Sequence, residues 1–197
     1  MIIIVLAYLV GMVPGAYLAS RLMGRLPSPD RRTYAGQALS LLPLALVLAT
    51  DAGKGALAVW LVPRIAEHLA GGQWAWLVYP FVSPGLRAIA ALFVAVAAHD
   101  ISTTVLGGGG KVATSFGGFA VLAWYPTLLA GFVFVIAAGM SRAPWFGSLL
   151  ASWLLPALLW YWRPNDLLLH VAAVVAAGFA TLLHRGEVGR AWRRFRR

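Results

Sequence analysis

The residues best suited to chemistry form one short segment, Gly107-Gly108-Gly109-Gly110-Lys111-Val112-Ala113-Thr114-Ser115, directly before an apolar run. Glycines allow consecutive backbone N–H groups to face one ligand, and the N-terminus of a following helix adds its positive dipole end. Lys111 adds a full positive charge, while Thr114 and Ser115 add hydroxyl donors. The segment therefore predicts a phosphate-binding loop, although not a Walker A loop, because Val112 follows Lys111. A flexible linker with one interfacial lysine is the alternative.

Two opposite charges, Asp51 and Lys54, interrupt an otherwise apolar run. Their i, i+3 spacing places both side chains on one face of a helix. Because a charge in hydrocarbon is costly, we expect the pair to face the interior of a helix bundle. The pair could then form part of a substrate-binding wall, or it could be a mutually neutralised structural pair.

Two histidines end apolar runs. His184 is followed by Arg185, and an imidazole there could bind a phosphate or exchange a proton near neutral pH. The simpler interpretation of His184 is an ordinary interfacial residue. His99 is followed by Asp100, but adjacent residues point in different directions on a helix, so we do not expect a functional dyad.

A separate basic stretch contains Arg31 and Arg32. Such a stretch most simply anchors the chain at the cytoplasmic surface of a membrane, and it could also bind a second phosphate.

The elements that position these residues must be membrane helices. Of the 197 residues, 61% are hydrophobic and only 11% are charged, whereas an ordinary soluble domain is about a quarter charged. The absence of cysteine excludes disulfide frameworks, thiolate metal sites and cysteine nucleophiles. We expect no metal and no cofactor. The net charge of +10 is placed mainly beside apolar runs, which favours anionic membrane lipids over nucleic acid as the partner.

A span needs about 20 apolar residues. The runs 2–21, 39–62, 86–98, 145–162 and 166–184 each suggest a crossing, and 112–140 is long enough to be divided in two at Pro126. The fold class is therefore an all-α integral membrane protein of about seven transmembrane helices. Residues 1–197 form a single polytopic domain, with a helical bundle at 1–184 and a basic cytoplasmic tail at 185–197.

The distribution of positive charge supports this layout. With seven crossings or half-crossings, Arg31, Arg32, Lys111 and the C-terminal arginines share one side, while Arg64 and Arg163 lie on the other. The positive-inside rule then predicts a cytoplasmic C-terminus and an N-terminus outside.

Several segments together resemble the PlsY-type family of bacterial membrane-integral acyl-phosphate:glycerol-3-phosphate acyltransferases, over most of the chain. The matching segments are Gly11–Leu18, Asp51-x-x-Lys54-Gly55, Ala98-His99 before the glycine-rich loop, Ser141-Arg142 and His184-Arg185. Some positions depart from the family pattern: Gly110 and Lys111 stand in exchanged order, and the segment after Gln37 is apolar. Ala35 replaces a serine, while Gln37 and Glu187 replace asparagines.

The resemblance implies an enzyme that transfers an acyl group from acyl phosphate to glycerol 3-phosphate in phospholipid synthesis, at the cytoplasmic face of the bacterial inner membrane. Its products are 1-acylglycerol 3-phosphate and phosphate. It assigns Lys111 and His184 to catalysis. Other residues are candidates for substrate binding, either from the resemblance or from the sequence features above. They are Arg31, Arg32, Gly36, Gln37, Asp51, Lys54, Gly107, Gly108, Gly109, Gly110, Val112, Thr114, Ser115 and Arg185. The altered positions leave an alternative: a catalytically impaired relative that binds anionic lipid or transports a phosphorylated small molecule.

Overall fold

The computed structural model of the protein describes residues 2–22, 41–69, 83–106 and 112–195, and the regular elements within these ranges are all helices. They are α1 (Ile2–Met12), α2 (Gly15–Leu22), α3 (Leu41–Leu69), α4 (Pro84–Leu106), α5 (Ala113–Leu122), α6 (Trp124–Ser141), α7 (Pro144–Trp162), α8 (Leu167–Leu183) and α9 (Arg185–Phe195). The prediction of an all-α protein is confirmed for these residues.

Several of these helices fit a membrane. Within the described ranges, α3, α4 and α6 are long and apolar enough to cross a bilayer, and a fourth span results if α8 and α9 count as one span bent by 59°. Helices α1 and α5 are apolar but shorter. The chain is therefore a helical membrane protein with several candidate spans, while seven crossings and the orientation of the termini stay predictions.

The first predicted span is two helices rather than one. Helix α1 ends at Met12 and α2 begins at Gly15, so the break falls at Val13 and Pro14. Proline has no backbone N–H and clashes with the preceding turn, which explains a break at this position. The run 2–21, which the sequence suggests as one crossing, is therefore divided into two helices.

Other prolines sit where a helix tolerates them. Pro84 is the first residue of α4, and the Ser83 side chain caps that helix by accepting a hydrogen bond from the Leu86 N–H at 3.1 Å. The break in the 112–140 run falls at Ala123, so Pro126 lies in the first turn of α6. Division of this run into two helices is confirmed, but the break precedes the proline because a first-turn proline loses no helical hydrogen bond.

Helix α3 is longer than the sequence suggests. It continues through Pro63 to Leu69, where the apolar pattern predicts a loop from Pro63 onward. The ring of Pro63 is buried, and neighbouring helices can stabilise a membrane helix that contains proline.

The chain forms two compact units, residues 1–122 and 123–197. In the first unit, α3 packs against α1, α2, α4 and α5, and an apolar cluster of Ile3, Ala7, Val62, Ala66 and Ala91 joins α1, α3 and α4. In the second unit, α7 packs against α6 and α8. The segment expected to be a basic tail forms the helix α9, and a single domain over 1–197 stays a prediction.

Candidate functional site

Helix α5 begins at Ala113, directly after the glycine-rich segment. The Thr114 side chain is fully buried in its first turn, and Val112 and Ser115 are buried beside it. No hydrogen-bond partner for the Thr114 hydroxyl is found among the described residues. A buried hydroxyl normally has a partner, so the N-terminus of α5 is a place where a polar ligand would complete the hydrogen bonding.

The first turns of α5 lie against the backbone of α3. A Cβ added to Gly55 would overlap the Thr114 carbonyl oxygen, and one added to Gly117 would overlap the Ala52 carbonyl oxygen. Only glycine permits such a close approach between two helices. The position of Thr114 is therefore fixed by the segment of α3 that contains Asp51 and Lys54.

Asp51 and Lys54 form a buried ion pair. The Lys54 Nζ lies 2.8 Å from the Asp51 Oδ1, and the side chains are 6% and 0% exposed. The predicted shared face and interior position of the pair are thus observed. Such a pair is stable in a low-dielectric interior only when its remaining hydrogen-bonding groups are also satisfied.

His99 of α4 completes this cluster. Its Nδ1 lies 2.8 Å from the Lys54 Nζ, and its Nε2 lies 3.8 Å from the Asp51 Oδ2. The histidine is 2% exposed. We refer to Asp51, Lys54 and His99 as the buried triad. The triad links α3 to α4 through charged and polar side chains.

Lys54 of the buried triad and Ser102 of α4 together hold the break between α1 and α2. The Lys54 Nζ donates a hydrogen bond to the Val13 carbonyl at 2.9 Å, and the Ser102 hydroxyl donates one to the Met12 carbonyl at 3.0 Å. A helix break inside a membrane leaves carbonyls that need partners, and these two side chains supply them.

Sequence reasoning missed His99 because it considered only the adjacent Asp100. A signal was nevertheless present, since His99 and Ser102 are three residues apart and share one face of α4. Two polar residues on one face of an apolar helix indicate a polar contact with a neighbouring helix.

Other predicted site residues are placed as follows. His184 and Arg185 belong to the second unit, where His184 is buried and its Nδ1 lies 4.0 Å from the Glu187 Oε2. Arg185 is exposed at the start of α9. Outside the described residues lie Arg31, Arg32, Gly36, Gln37, Gly107, Gly108, Gly109, Gly110 and Lys111.

The family model for glycerol-3-phosphate acyltransferase matches residues 1–194. The chain belongs to the glycerol-3-phosphate acyltransferase family. The resemblance noted in the sequence is therefore confirmed at the level of the family.

Individual members of this family match over most of their length. A glycerol-3-phosphate acyltransferase of Gloeobacter violaceus is 30% identical over 196 residues, covering 93% of this chain and 87% of the relative. One from Synechococcus sp. (strain JA-2-3B'a(2-13)) is 33% identical over 160 residues, covering 78% and 72%. One from Shigella flexneri is 30% identical over 197 residues, covering 97% and 87%. No solved structure matches the chain.

Proposed function

We propose that this chain transfers an acyl group from acyl phosphate to glycerol 3-phosphate. The glycerol hydroxyl oxygen bonds to the acyl carbon, the bond from that carbon to the phosphate oxygen breaks, and the hydroxyl proton leaves with the phosphate. The products are 1-acylglycerol 3-phosphate and inorganic phosphate. Family membership supports acylation of glycerol 3-phosphate, and the buried Thr114 hydroxyl at the start of α5 is the observation that carries the phosphate site.

The donor phosphate is assigned to the N-terminus of α5. Backbone N–H groups of Gly107–Gly110, the Lys111 ammonium and the hydroxyls of Thr114 and Ser115 would surround it. Lys111 would stabilise the negative charge that grows on the leaving phosphate. Because the anhydride donor is already activated, binding both substrates in the reacting geometry can supply much of the rate enhancement.

The roles of the acceptor-binding residues rest on family resemblance. Arg31, Arg32, Gly36 and Gln37 are assigned to glycerol 3-phosphate, as are His184 and Arg185, with His184 as a catalytic group. An imidazole or guanidinium suits this role because it donates hydrogen bonds to phosphate oxygens.

Asp51 and Lys54 are better suited to positioning than to direct contact with substrate. Each side chain is almost fully buried and already contacts another member of the buried triad. Gly55, the residue after Lys54, packs on the Thr114 carbonyl. We therefore assign the buried triad to holding α3 in the register that places the first turn of α5.

By family resemblance, the acyl chain of the donor would lie between helices or in the surrounding lipid.

The enzyme is proposed to act at the cytoplasmic face of the bacterial inner membrane, with about seven crossings, the N-terminus outside and anionic lipids around its basic surface. The apolar helices and the excess of arginine beside predicted cytoplasmic span ends support this orientation.

The direct test is a purified-protein assay with palmitoyl phosphate and glycerol 3-phosphate, read out as lysophosphatidate and released phosphate. Lys111→Ala should lower kcat/KM about a hundredfold, as expected for loss of one charge-stabilising group. Arg163→Ala removes a cation from the exposed link between α7 and α8 and should leave the rate unchanged. Binding of phosphate esters without any turnover, while an active family member succeeds alongside, would contradict the proposal and favour the non-catalytic alternative.

A further inference from the structure

Helix α9 differs in character from the helices before it. It runs from Arg185 to Phe195 and follows α8 after a bend of 59°. Its main packing partner is α8. Along its length, Arg190 and Arg193 are exposed, and Val188 and Trp192 are 39% and 63% exposed.

The apolar and basic residues of α9 are separated onto two faces. At about 100° per residue, Val188, Ala191 and Trp192 share one face, while Gly186, Arg190 and Arg193 share another. The arginines extend back along the helix, since a Cβ on Gly186 would lie 3.7 Å from an Arg190 Nη and one on Gly189 would lie 3.8 Å from an Arg193 Nη. This is the pattern of a helix that lies flat in a membrane–water interface.

The intrinsic stability of α9 is low. It has 11 residues and contains Gly186 and Gly189, each of which costs about 1 kcal/mol relative to alanine in a helix. Isolated helices of this length are marginal in water. An apolar face in lipid would supply the missing stabilisation.

The positive charge of α9 and of the residues after it favours a membrane surface with anionic lipids. Arg185, Arg190 and Arg193 lie on α9, further arginines follow at 194, 196 and 197, and Glu187 is the acidic residue among them. A bilayer with anionic head groups attracts each such cation near its surface by about 1 kcal/mol.

We propose that α9 lies in the interface of an anionic phospholipid bilayer, with Val188, Ala191 and Trp192 toward the acyl chains and Arg190 and Arg193 bound to lipid phosphates. This inference deepens the contact with anionic lipids given under the proposed function. It rests on the proposed function only for the choice of the cytoplasmic membrane surface. The His184–Arg185 pair then lies at the junction between α8, which the sequence predicts as the last crossing, and an interfacial helix.

The natural absence of cysteine allows a site-specific test on the full-length protein. Nitroxide labels are placed singly by Val188→Cys, Ala191→Cys, Gly186→Cys and Gly189→Cys in bilayers of phosphatidylcholine with or without phosphatidylglycerol. With phosphatidylglycerol, the labels at 188 and 191 should be more accessible to oxygen, and less to an aqueous nickel chelate, than those at 186 and 189. The contrast should weaken in phosphatidylcholine alone.

Charge removal tests the lipid specificity. The same labels report the ratio of membrane-bound to unbound α9. In each labelled protein, R190Q/R193Q should lower this ratio about 30-fold, since each arginine contributes about fivefold. R64Q/R163Q removes two exposed arginines outside α9 and should leave the ratio unchanged.

The proposal is overturned if all four labels are equally accessible to the aqueous chelate, if the contrast is equal in neutral and anionic bilayers, or if added RNA releases the helix from anionic bilayers. These readouts need no turnover, so loss of the proposed enzymatic activity would leave their outcome unaffected.

Discussion

The two compact units use buried polar side chains in different ways. In the first unit, hydrogen bonds join separate helices: Lys54 reaches Val13 and His99, and Ser102 reaches Met12. In the described part of the second unit, several side-chain hydrogen bonds instead go to a backbone carbonyl four residues earlier in the chain. Examples of such bonds are those of Thr127 to Ala123, Thr181 to Ala177 and His170 to Asp166.

This difference indicates which helices are held in a fixed geometry. A hydrogen bond between helices restrains their distance and register, whereas a bond to the preceding turn only satisfies the side chain locally. Among the described residues, buried Asp, Glu, Lys or Arg side chains occur only in the first unit, as Asp51 and Lys54. The first unit therefore provides the restrained framework that the phosphate site proposed at the start of α5 would require.

The largest expected effect comes from breaking the buried triad. Lys54→Met leaves Asp51 buried without its cation, which should destabilise the protein by about 3–5 kcal/mol. Chemical unfolding in detergent micelles measures the change. The double variant Asp51→Asn/Lys54→Met removes both charges and should recover much of the loss. A single variant as stable as the double variant would show that the ion pair does not restrain the fold.

The next effect comes from the close contact between α3 and α5. Gly55→Ala forces a Cβ onto the Thr114 carbonyl and should cost about 1–3 kcal/mol or more through overpacking. Gly178→Ala in the second unit is the matched control, because a Cβ there meets nothing within 4 Å and raises helix propensity. Equal unfolding free energies for the two variants would contradict the inference that close helix contacts restrain the first unit more than the second.

Gly55→Ala also tests whether α3 positions the proposed phosphate site. Because Gly55 contacts the backbone of Thr114, the variant should raise KM for acyl phosphate, measured in the fraction that remains folded. Gly178→Ala should keep the original KM. An unchanged KM in folded Gly55→Ala would contradict the link between α3 and the site.

The smallest effect is expected in the second unit. One bond between helices there, from the Trp153 Nε1 to the Thr181 Oγ1 at 3.0 Å, joins partly exposed side chains of α7 and α8. Trp153→Phe should cost about 0.6 kcal/mol, the typical value for a hydrogen bond between membrane helices. A loss as large as that of Lys54→Met would make this contact as important as the buried triad.

Local features of the fold were predictable where the sequence carries a local physical signal. The start of α4 at Ser83-Pro84 follows from capping, and the paired face of Asp51 and Lys54 follows from helical spacing. The passage of α3 through Pro63 was not predictable, because proline is tolerated inside a helix only when neighbouring helices stabilise it.

By itself, the sequence determined that the chain is a helical membrane protein with a glycine-rich segment before an apolar helix, since composition and local pattern can be read without knowing the tertiary contacts. Only the tertiary structure decided that His99 meets Lys54, 45 residues earlier in the chain, and that Lys54 supports the break at Val13. Contacts between distant segments depend on how closely the helices approach. Between α3 and α5, the close approach is set by Gly55 and Gly117, whose role becomes visible only once the two helices are packed together.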